Sequence, residues 1–343
     1  MNYQQMKKKI TLRDIAKLAD VSPATASIVL NEKKNQGISQ KTWDRVKKIA
    51  KKNKYVGNNK IRRLNKRKFL FFMEEFSYNN SVVSSEFLNG FHDYDLLSHQ
   101  FVFLFNQLSK KNNILNIIEE FNPDGFIVAT SYTKKINYDF NKIKLNKILL
   151  NCWNDNFKGI SILPDDYNGS KNAVLHLLQN GYKNIGIIIA PDFWMKGYRD
   201  RLNGWRDAHS DLNLEIDQKL IFKSEKSEIG NESRVGYNAT KKLLKISKSL
   251  DAIFCTNDLI AMGTYQALKE EKLEIPKDIA VIGYDNSNIA ENLKPELTSV
   301  QLPHAEMTQK SISHILNENI LMDNFKIYVD SPLISRSSVL IKK

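Results

Sequence analysis

The sequence contains very little cysteine. Only 2 of its 343 residues are Cys, and Cys152 and Cys255 lie far apart, each at the end of an apolar run. Two cysteines placed in this way have no metal-ligand spacing and do not suit a disulfide framework. We therefore expect two buried free thiols.

Long apolar runs and the common catalytic motifs are also absent. No apolar stretch reaches the roughly 20 residues of a membrane-spanning helix, and the first residues form no apolar signal segment. The sequence has no G-x-G-x-x-G, G-K-[ST], G-x-S-x-G or H-E-x-x-H motif, and its 6 His residues are scattered. These absences predict a cytoplasmic protein that is not an enzyme, has no cofactor and does not bind a membrane.

Acidic residues are scarce in one part of the chain only. The net charge is +13, and residues 1–68 hold 20 of the 51 Lys and Arg but only 4 of the 38 Asp and Glu. The remaining residues therefore hold 31 basic and 34 acidic residues. All of the net positive charge belongs to the N-terminal module, and such a localised excess favours a polyanionic partner.

Residues 11–31 show the pattern of two short helices joined by a tight turn. Thr11 and Asp14 have the spacing of a capping box at the start of the first helix. Ser22 and Pro23 suit the N-cap and first turn of the second helix. The outward residues of the second helix are small, which is what a helix needs to approach bases in the DNA major groove.

A third helix is expected after Ser39. Val46, Ile49 and Ala50 would line its apolar face, and Lys and Arg residues crowd the rest of it. Three such helices would bury one small core and leave a basic surface, as in a helix-turn-helix DNA-binding domain. A small helical hairpin without a DNA-binding role is the alternative.

These residues resemble the LacI/GalR family of bacterial repressors. The matching patterns are T-L-x-D-I-A from Thr11, V-S-x-x-T-x-S-x-V-L-N from Val21, I-S-x-x-T from Ile38 and Y-x-x-N-x-x-x-R-x-L from Tyr55. The wording of the second helix is most similar to the fructose and sucrose repressor branch. The resemblance implies a homodimer that binds a double-stranded DNA operator.

The resemblance also assigns DNA-binding residues. Phosphate contacts are expected from Thr11, Ser22 and Ser39, and base contacts from Pro23, Ala24, Thr25 and Ile28, with Ser27 and Asn31 in the same motif. The family often has Arg where Ile28 stands, so a bidentate contact with guanine is replaced here by an apolar contact with a thymine methyl group.

Residues 57–68 resemble the family's hinge segment, which forms a helix in the minor groove and kinks the duplex. Asn58, Arg62 and Leu64 match it, and Leu64 would be the side chain inserted between base pairs. The family's usual Pro is Gly57 here, which increases the ordering entropy lost on binding. A flexible tether whose charges only hold phosphates is the alternative.

From Phe69 onward, short apolar runs alternate with amphipathic stretches. Examples of the runs are 101–105, 185–189 and 279–282, and continuous apolar runs of this kind predict strands buried on both faces. Strands that alternate with helices predict an α/β architecture with parallel sheets. By resemblance, two Rossmann-like lobes of the type I periplasmic-binding-protein kind follow the all-α head.

The expected domain boundaries follow from these patterns and from the resemblance. The helix-turn-helix domain would cover 1–56, the hinge 57–68 and the effector-binding and dimerisation domain 69–343. Within the last of these, lobe one would cover about 69–160 and 299–322, and lobe two about 161–295 and 324–343.

Polar residues follow several of the predicted strands. Asn151, Asn257 and Asp285 each stand at or after a strand end, and Arg201 lies in the helix after another strand. In open α/β sheets ligands bind beyond the carboxyl ends of strands. Carboxylates and amides accept hydrogen bonds from vicinal hydroxyls, and Arg donates them, which suits a sugar. By resemblance, Arg201, Asn257 and Asp285 are effector contacts. Asn151 is expected to be the fourth, and it stands where the family commonly has an Asp.

We therefore expect a repressor of a carbohydrate-utilisation operon, controlled by a sugar or sugar phosphate in the cleft between the lobes. Three alternatives stay open: a purine effector, regulation by a partner protein, and a sugar-binding protein that does not act on DNA. The choice among effectors is open partly because an aromatic residue that stacks on a sugar is not evident, although Phe193 and Trp194 are candidates. Asp258 is expected either to cap a helix or to contact the ligand.

Overall fold

The computed structural model describes residues 11–30, 37–53, 67–75, 81–92, 99–106, 114–190, 195–225, 230–317 and 324–342. Four of the expected DNA-binding residues lie outside these ranges, namely Asn31, Asn58, Arg62 and Leu64, as do Phe193 and Trp194. The chain divides into two compact units, one chiefly before Lys68 and the other chiefly from Lys68 onward.

The first unit contains the three expected helices, α1 (Leu12–Leu18), α2 (Pro23–Leu30) and α3 (Gln40–Lys52). Each begins at a hydroxyl side chain that accepts a hydrogen bond from a backbone N–H three residues later: Thr11, Ser22 and Ser39. These caps satisfy donors that a helix N-terminus otherwise leaves unpaired. The buried core consists of Ile15, Ala16, Ala19, Ala26, Val29, Val46 and Ala50.

The second unit contains two six-stranded sheets among its described residues. The first sheet consists of β1 (Lys68–Glu74), β2 (Gln100–Phe105), β3 (Gly125–Lys135), β4 (Asn146–Trp153), β5 (Gly159–Pro164) and β11 (Asn324–Val329), in the order β11-β5-β4-β3-β1-β2. The second consists of β6 (Ile185–Ile189), β7 (Ile221–Lys223), β8 (Ala252–Cys255), β9 (Ala280–Asp285), β10 (Thr298–Gln301) and β12 (Leu333–Ile334), in the order β12-β10-β9-β8-β6-β7.

Helices cover both faces of the sheets and bury their apolar side chains. They are α4 (Ser81–Asn89), α5 (Ile114–Phe121), α6 (Asp166–Gln179), α7 (Lys196–Asp211), α8 (Glu232–Ile246), α9 (Asp258–Glu270), α10 (Asn288–Asn292) and α11 (His304–Leu316), with a 3₁₀ turn at Gln218–Leu220. Each sheet separates two apolar clusters, as a doubly covered sheet requires. The expected fold class is confirmed, with the addition that β12 pairs antiparallel with β10.

The expected lobe limits place three crossings between the lobes, near 160, between 295 and 299, and near 323. In the structure each crossing comes later in the chain. Strand β5 stays in the first sheet up to Pro164, because it pairs in parallel with β11 from Gly159↔Asn324 to Pro164↔Val329. Strand β10 pairs with β9 and therefore belongs to the second sheet. A strand that left its sheet midway would leave buried backbone groups unpaired, so each crossing falls after a strand has ended.

Both cysteines are buried free thiols, as the sequence predicts. Burial raises the pKa of each thiol to about 12 and keeps it protonated and inert at neutral pH. Within the described ranges, no helix is long and apolar enough to cross a membrane.

Helices α8 and α9 pack closely enough that two glycines touch the opposite backbone. A Cβ at Gly236 would overlap the carbonyl oxygen of Ile260, and one at Gly263 would overlap that of Ser233. Neither overlap can be relieved by a side-chain rotation, because the obstructing atoms belong to the backbone.

We expect Gly236→Ala and Gly263→Ala to lower the free energy of unfolding by about 1–3 kcal/mol each, as in overpacked cores. This sign is opposite to the gain of about 1 kcal/mol that Gly→Ala brings in a free helix. Urea unfolding measures the effect. The exposed Gln266→Ala, also in α9, is the control and should change stability by less than about 0.5 kcal/mol. Stabilisation by either glycine replacement would contradict the close packing.

Candidate functional site

The outward face of α2 is accessible in the first unit. Ser22, Pro23 and Ala24 are exposed, and Thr25, Ser27 and Ile28 are partly exposed. The residues expected to meet base edges therefore share one surface. Their small size and the burial of Ala26 and Val29 on the opposite face fit a helix that enters a groove.

The hydroxyl groups expected to contact phosphates also cap the N-termini of the three helices. Thr11 Oγ1 donates to Asp14 Oδ2 at 2.7 Å, and the hydroxyls of Ser22 and Ser39 lie 2.9 and 3.0 Å from those of Thr25 and Thr42. Around them, α3 exposes a row of basic residues: Lys41, Arg45, Lys47, Lys48, Lys51 and Lys52. This surface combines small helical contacts with positive charge, as DNA binding requires.

The second unit has a pocket between the two sheets, where the carboxyl ends of β3, β4 and β9 meet α7. Three of the four expected effector residues line it together: Asn151, Arg201 and Asp285. Tyr198 and His304 also line it. Asn151 belongs to the first lobe and Arg201 and Asp285 to the second, so the pocket is built from both lobes.

Arg201 is the central charge of the pocket, and 6% of it is exposed. Its Nε donates to Asp166 Oδ1 at 2.9 Å, and its Nη1 donates to the Thr256 carbonyl at 2.5 Å and to Asp285 Oδ1 at 3.4 Å. Its guanidinium also stacks 3.6 Å from the ring centroid of Tyr284. The planar fork of Arg can meet several acceptors at once, and these contacts fix its orientation.

Asn151 is held in place by its neighbours. Its Nδ2 donates to the Thr130 carbonyl at 3.0 Å, and its Oδ1 accepts from Thr133 Oγ1 at 2.6 Å. Its φ of 58° lies in the left-handed region, which Asn tolerates better than most residues. Asn151 lies within β4, between Leu150 and Cys152, where the register between β3 and β4 shifts.

Asp285 ends β9 and points its carboxylate at Arg201. Its φ of 98° is also left-handed, which is strained for a residue with a Cβ. The side chain is 34% exposed, so one part of it faces the pocket while Oδ1 stays near Arg201. A partly exposed carboxylate beside a guanidinium suits the binding of ligand hydroxyls.

Asn257 does not line the pocket. It is the N-cap of α9, and its Oδ1 accepts from the Ile260 N–H at 2.8 Å. Asp258, which was expected to cap this helix or meet the ligand, instead accepts from the Ser287 N–H and hydroxyl at 2.7 and 2.9 Å and from the Ser299 hydroxyl at 2.6 Å. A ligand contact of Asn257 stays a prediction.

His304 connects the pocket to the first lobe. It begins α11 directly after the second crossing, and its Nδ1 lies 2.8 Å from Glu86 Oε2 of α4. Its ring packs 4.4 Å from the ring centroid of Phe87. Neither His304 nor Asp166 was predicted from the sequence. Asp166 could have been found, because it follows a strand that the short run Gly159–Pro164 encodes.

A helix-turn-helix head followed by two α/β lobes with a pocket between them is an architecture typical of DNA-binding regulators. Residues 11–58 match the bacterial regulatory proteins of the lacI family, and residues 174–338 match the periplasmic binding protein-like domain. The chain therefore carries a LacI-family DNA-binding domain followed by a periplasmic binding protein-like domain, and its relatives are LacI-family transcriptional regulators.

A curated relative supports this assignment along nearly the whole chain. The HTH-type transcriptional repressor PurR of Actinobacillus pleuropneumoniae serotype 3 (strain JL03) is 27% identical over 325 residues, which cover 92% of this chain and 91% of PurR. Such relatives are transcriptional regulators, not enzymes. None of the comparisons confirms the fructose and sucrose branch, which stays a prediction.

Two solved structures show the same fold. The CelR–cellobiose complex has a TM-score of 0.63 at 22% identity and covers 96% of this chain and 100% of its own. The Lac repressor dimer bound to operator and the anti-inducer ONPF has a TM-score of 0.63 at 20% identity and covers 96% of this chain and 99% of its own.

We expect the buried Asp258 to make stability depend on pH in an unusual direction. Burial raises its pKa from 3.8 to about 6, although the Ser299 and Ser287 hydrogen bonds oppose the shift. The folded protein therefore binds this proton more tightly than the unfolded chain. Its stabilising contribution is full below pH 3.8 and is lost as pH rises through 6.

Urea unfolding of the wild type and of Asp258→Asn between pH 4 and pH 7 measures this contribution. The isosteric amide can keep the serine contacts but cannot titrate. Relative to the variant, the wild type should lose up to about 3 kcal/mol between these pH values. Parallel pH profiles for the two proteins would contradict the raised pKa.

Proposed function

We propose that this protein is a homodimeric repressor that binds a pseudo-palindromic operator. Its affinity for the operator would fall or rise when a sugar binds between its lobes. The observation that carries the proposal is the convergence of Arg201, Asp285 and Asn151 in one inter-lobe pocket of a chain with an exposed recognition helix. The expected target is a carbohydrate-utilisation operon. Sugar phosphates, purines and partner proteins are the other regulators to test.

The head supplies the DNA contacts. Its exposed α2 face would read bases, its N-caps and α3 lysines would contact phosphates, and 57–68 would serve as the hinge in the minor groove. The domain limits 1–56, 57–68 and 69–343 are part of this proposal. A sugar-binding protein that does not act on DNA would have no use for such a head.

The inter-lobe pocket would bind the ligand that changes operator affinity. Asp285 can accept from ligand hydroxyls, Asn151 brings an amide from the opposite lobe, and Arg201 can donate. The structurally similar CelR was solved in complex with cellobiose, which is consistent with a sugar in this pocket. Tyr198 lines the pocket and provides an aromatic face, so purines belong in the ligand panel.

The proposed mechanism is a shift between two lobe arrangements. A ligand that touches Asn151 of one lobe and Asp285 of the other favours the arrangement that places both within reach. It can change operator affinity only by the difference in its affinity for the two arrangements. The lobes would transmit this change to the hinge segments of the dimer.

Selection of DNA sites from a random pool tests the operator proposal with the purified full chain. We expect a symmetric site, with an affinity that falls with salt at a slope of about −0.9 per phosphate contact. Leu64→Ala should lose the selected site but keep salt-sensitive nonspecific binding. Recovery of only nonspecific DNA would contradict the repressor proposal.

Ile28 should set one base preference of that site. We expect the half-site to differ from the common family operator at the position that meets Ile28, because an apolar side chain favours a thymine methyl group over guanine. Ile28→Arg should shift this position towards guanine by about 1–3 kcal/mol of discrimination. An unchanged common half-site for the wild type would contradict the assignment of Ile28.

Arg201→Lys should separate ligand response from DNA binding. Lys keeps the charge but cannot meet Asp166, Thr256 and Asp285 together. We expect operator binding without ligand to persist, and the ligand concentration that changes it to rise about tenfold or more. Fluorescence anisotropy of labelled operator during a sugar titration measures both. Exposed Asn203→Ala, also in α7, is the control. An unaltered sugar response in Arg201→Lys would contradict the ligand contact of Arg201, whereas a wild type that responds to no ligand would favour regulation by a partner protein.

A further inference from the structure

The pocket has no surplus positive charge among its described residues. Arg201 is paired with both Asp166 and Asp285. The other basic side chain at the pocket, His304, pairs with Glu86. Even if Asp285 were protonated, Asp166 alone would neutralise Arg201.

Nearby lysines do not change this balance. Lys196 at the start of α7 pairs with Asp200, and Lys134 of β3 pairs with Glu75. A phosphate ester would bring nearly two negative charges into the pocket at neutral pH. It could engage Arg201 only by displacing a carboxylate or by staying beside one, and either outcome is costly at a buried site.

A second feature indicates what the pocket accepts. Asp166 is 1% exposed, and its Oδ2 has no hydrogen-bond partner among the described residues, although its Oδ1 is bound by Arg201. A buried carboxylate oxygen without a donor is unusual and requires an explanation. A donor from outside the chain, such as a hydroxyl, would satisfy it.

Gly197 lies beside this oxygen at the wall of the pocket. It lines the pocket, and a Cβ at this position would lie 3.1 Å from Asp166 Oδ2 and 3.7 Å from the Thr133 Cβ. The backbone φ of Gly197 is not left-handed, so the glycine is not required by the conformation of the chain. A methyl group here would instead crowd Asp166 Oδ2 of one lobe and contact Thr133 of the other.

We infer that the pocket binds an uncharged polyhydroxylated ligand and rejects phosphate esters, with Asp166 Oδ2 as an additional acceptor for a ligand hydroxyl beside Gly197. The inference rests on the proposed function and narrows its ligand class from sugars and sugar phosphates to sugars without an anionic group. Asp166 Oδ2 would accept a hydrogen bond from a ligand hydroxyl. The balanced charges of the pocket would disfavour a phosphate ester.

Calorimetric titration of the full chain tests the charge selection. The probes are neutral mono- and disaccharides, their phosphate esters and inorganic phosphate, at one ionic strength. We expect at least one neutral sugar to bind, and its phosphate ester to bind roughly 100-fold more weakly or not at all. Binding of phosphate or an ester that Arg201→Lys weakens would overturn the inference, and so would the failure of every neutral sugar.

Gly197→Ala tests the place of the contact. The added methyl group should weaken the neutral sugar identified in the titration by roughly tenfold or more. Asn203→Ala in the same helix should bind that sugar within about twofold of the wild type, as exposed substitutions usually do. Wild-type affinity for the sugar in Gly197→Ala would contradict a ligand contact with Asp166 Oδ2 beside Gly197.

The result can be separated from that of the proposed function. Operator binding without ligand is measured in the same preparation. An operator that is released by a sugar phosphate would overturn this inference and leave the regulator proposal intact. Sugar binding without any specific DNA binding would overturn the regulator proposal and leave this inference intact.

Discussion

The buried guanidinium of Arg201 determines how the elements around the inter-lobe pocket are arranged. A charge removed from water must be surrounded by acceptors, and no single element offers enough of them. Its acceptors come from the start of α6, the end of β8 and the end of β9, and the ring of Tyr284 covers its face. Satisfying one charge therefore fixes the relative positions of several elements at the pocket. The left-handed backbone of Asp285 is part of this arrangement.

The two units differ in the size of their cores and in their net charge. The head has a small core of Ala, Val and Ile and depends on hydroxyl caps for its helix starts, so its surface is left free to carry positive charge. The second unit has a near-balanced charge and a large apolar core on both faces of each sheet. A unit with balanced charge attracts a polyanion only weakly, so the positive surface of the head is the part that favours DNA. This separation is what a ligand-controlled DNA-binding protein requires.

The sequence predicted those elements whose signal is local. The capping box at Thr11 and the long apolar runs were predicted correctly because a cap and a doubly buried strand depend on a few adjacent residues. Strand β11 was missed because only Val329 is buried in it. Without β11 the pairing of β5 could not be foreseen, so the first crossing was placed too early and Asp166 was overlooked. Asn257 was chosen for its place after a strand, but an amide there serves a helix cap equally well.

Three aspartates near the pocket show why residue type alone cannot assign a binding role. Asp258 receives three hydrogen bonds and is fully occupied in joining α9 to the segments at Ser287 and Ser299. Asp285 is partly exposed and shares Arg201. Asp166 gives one oxygen to Arg201 and keeps the other without a described partner. The number of satisfied acceptors separates a structural carboxylate from one that can still bind. That number depends on residues far apart in the chain, so only the folded structure reveals it.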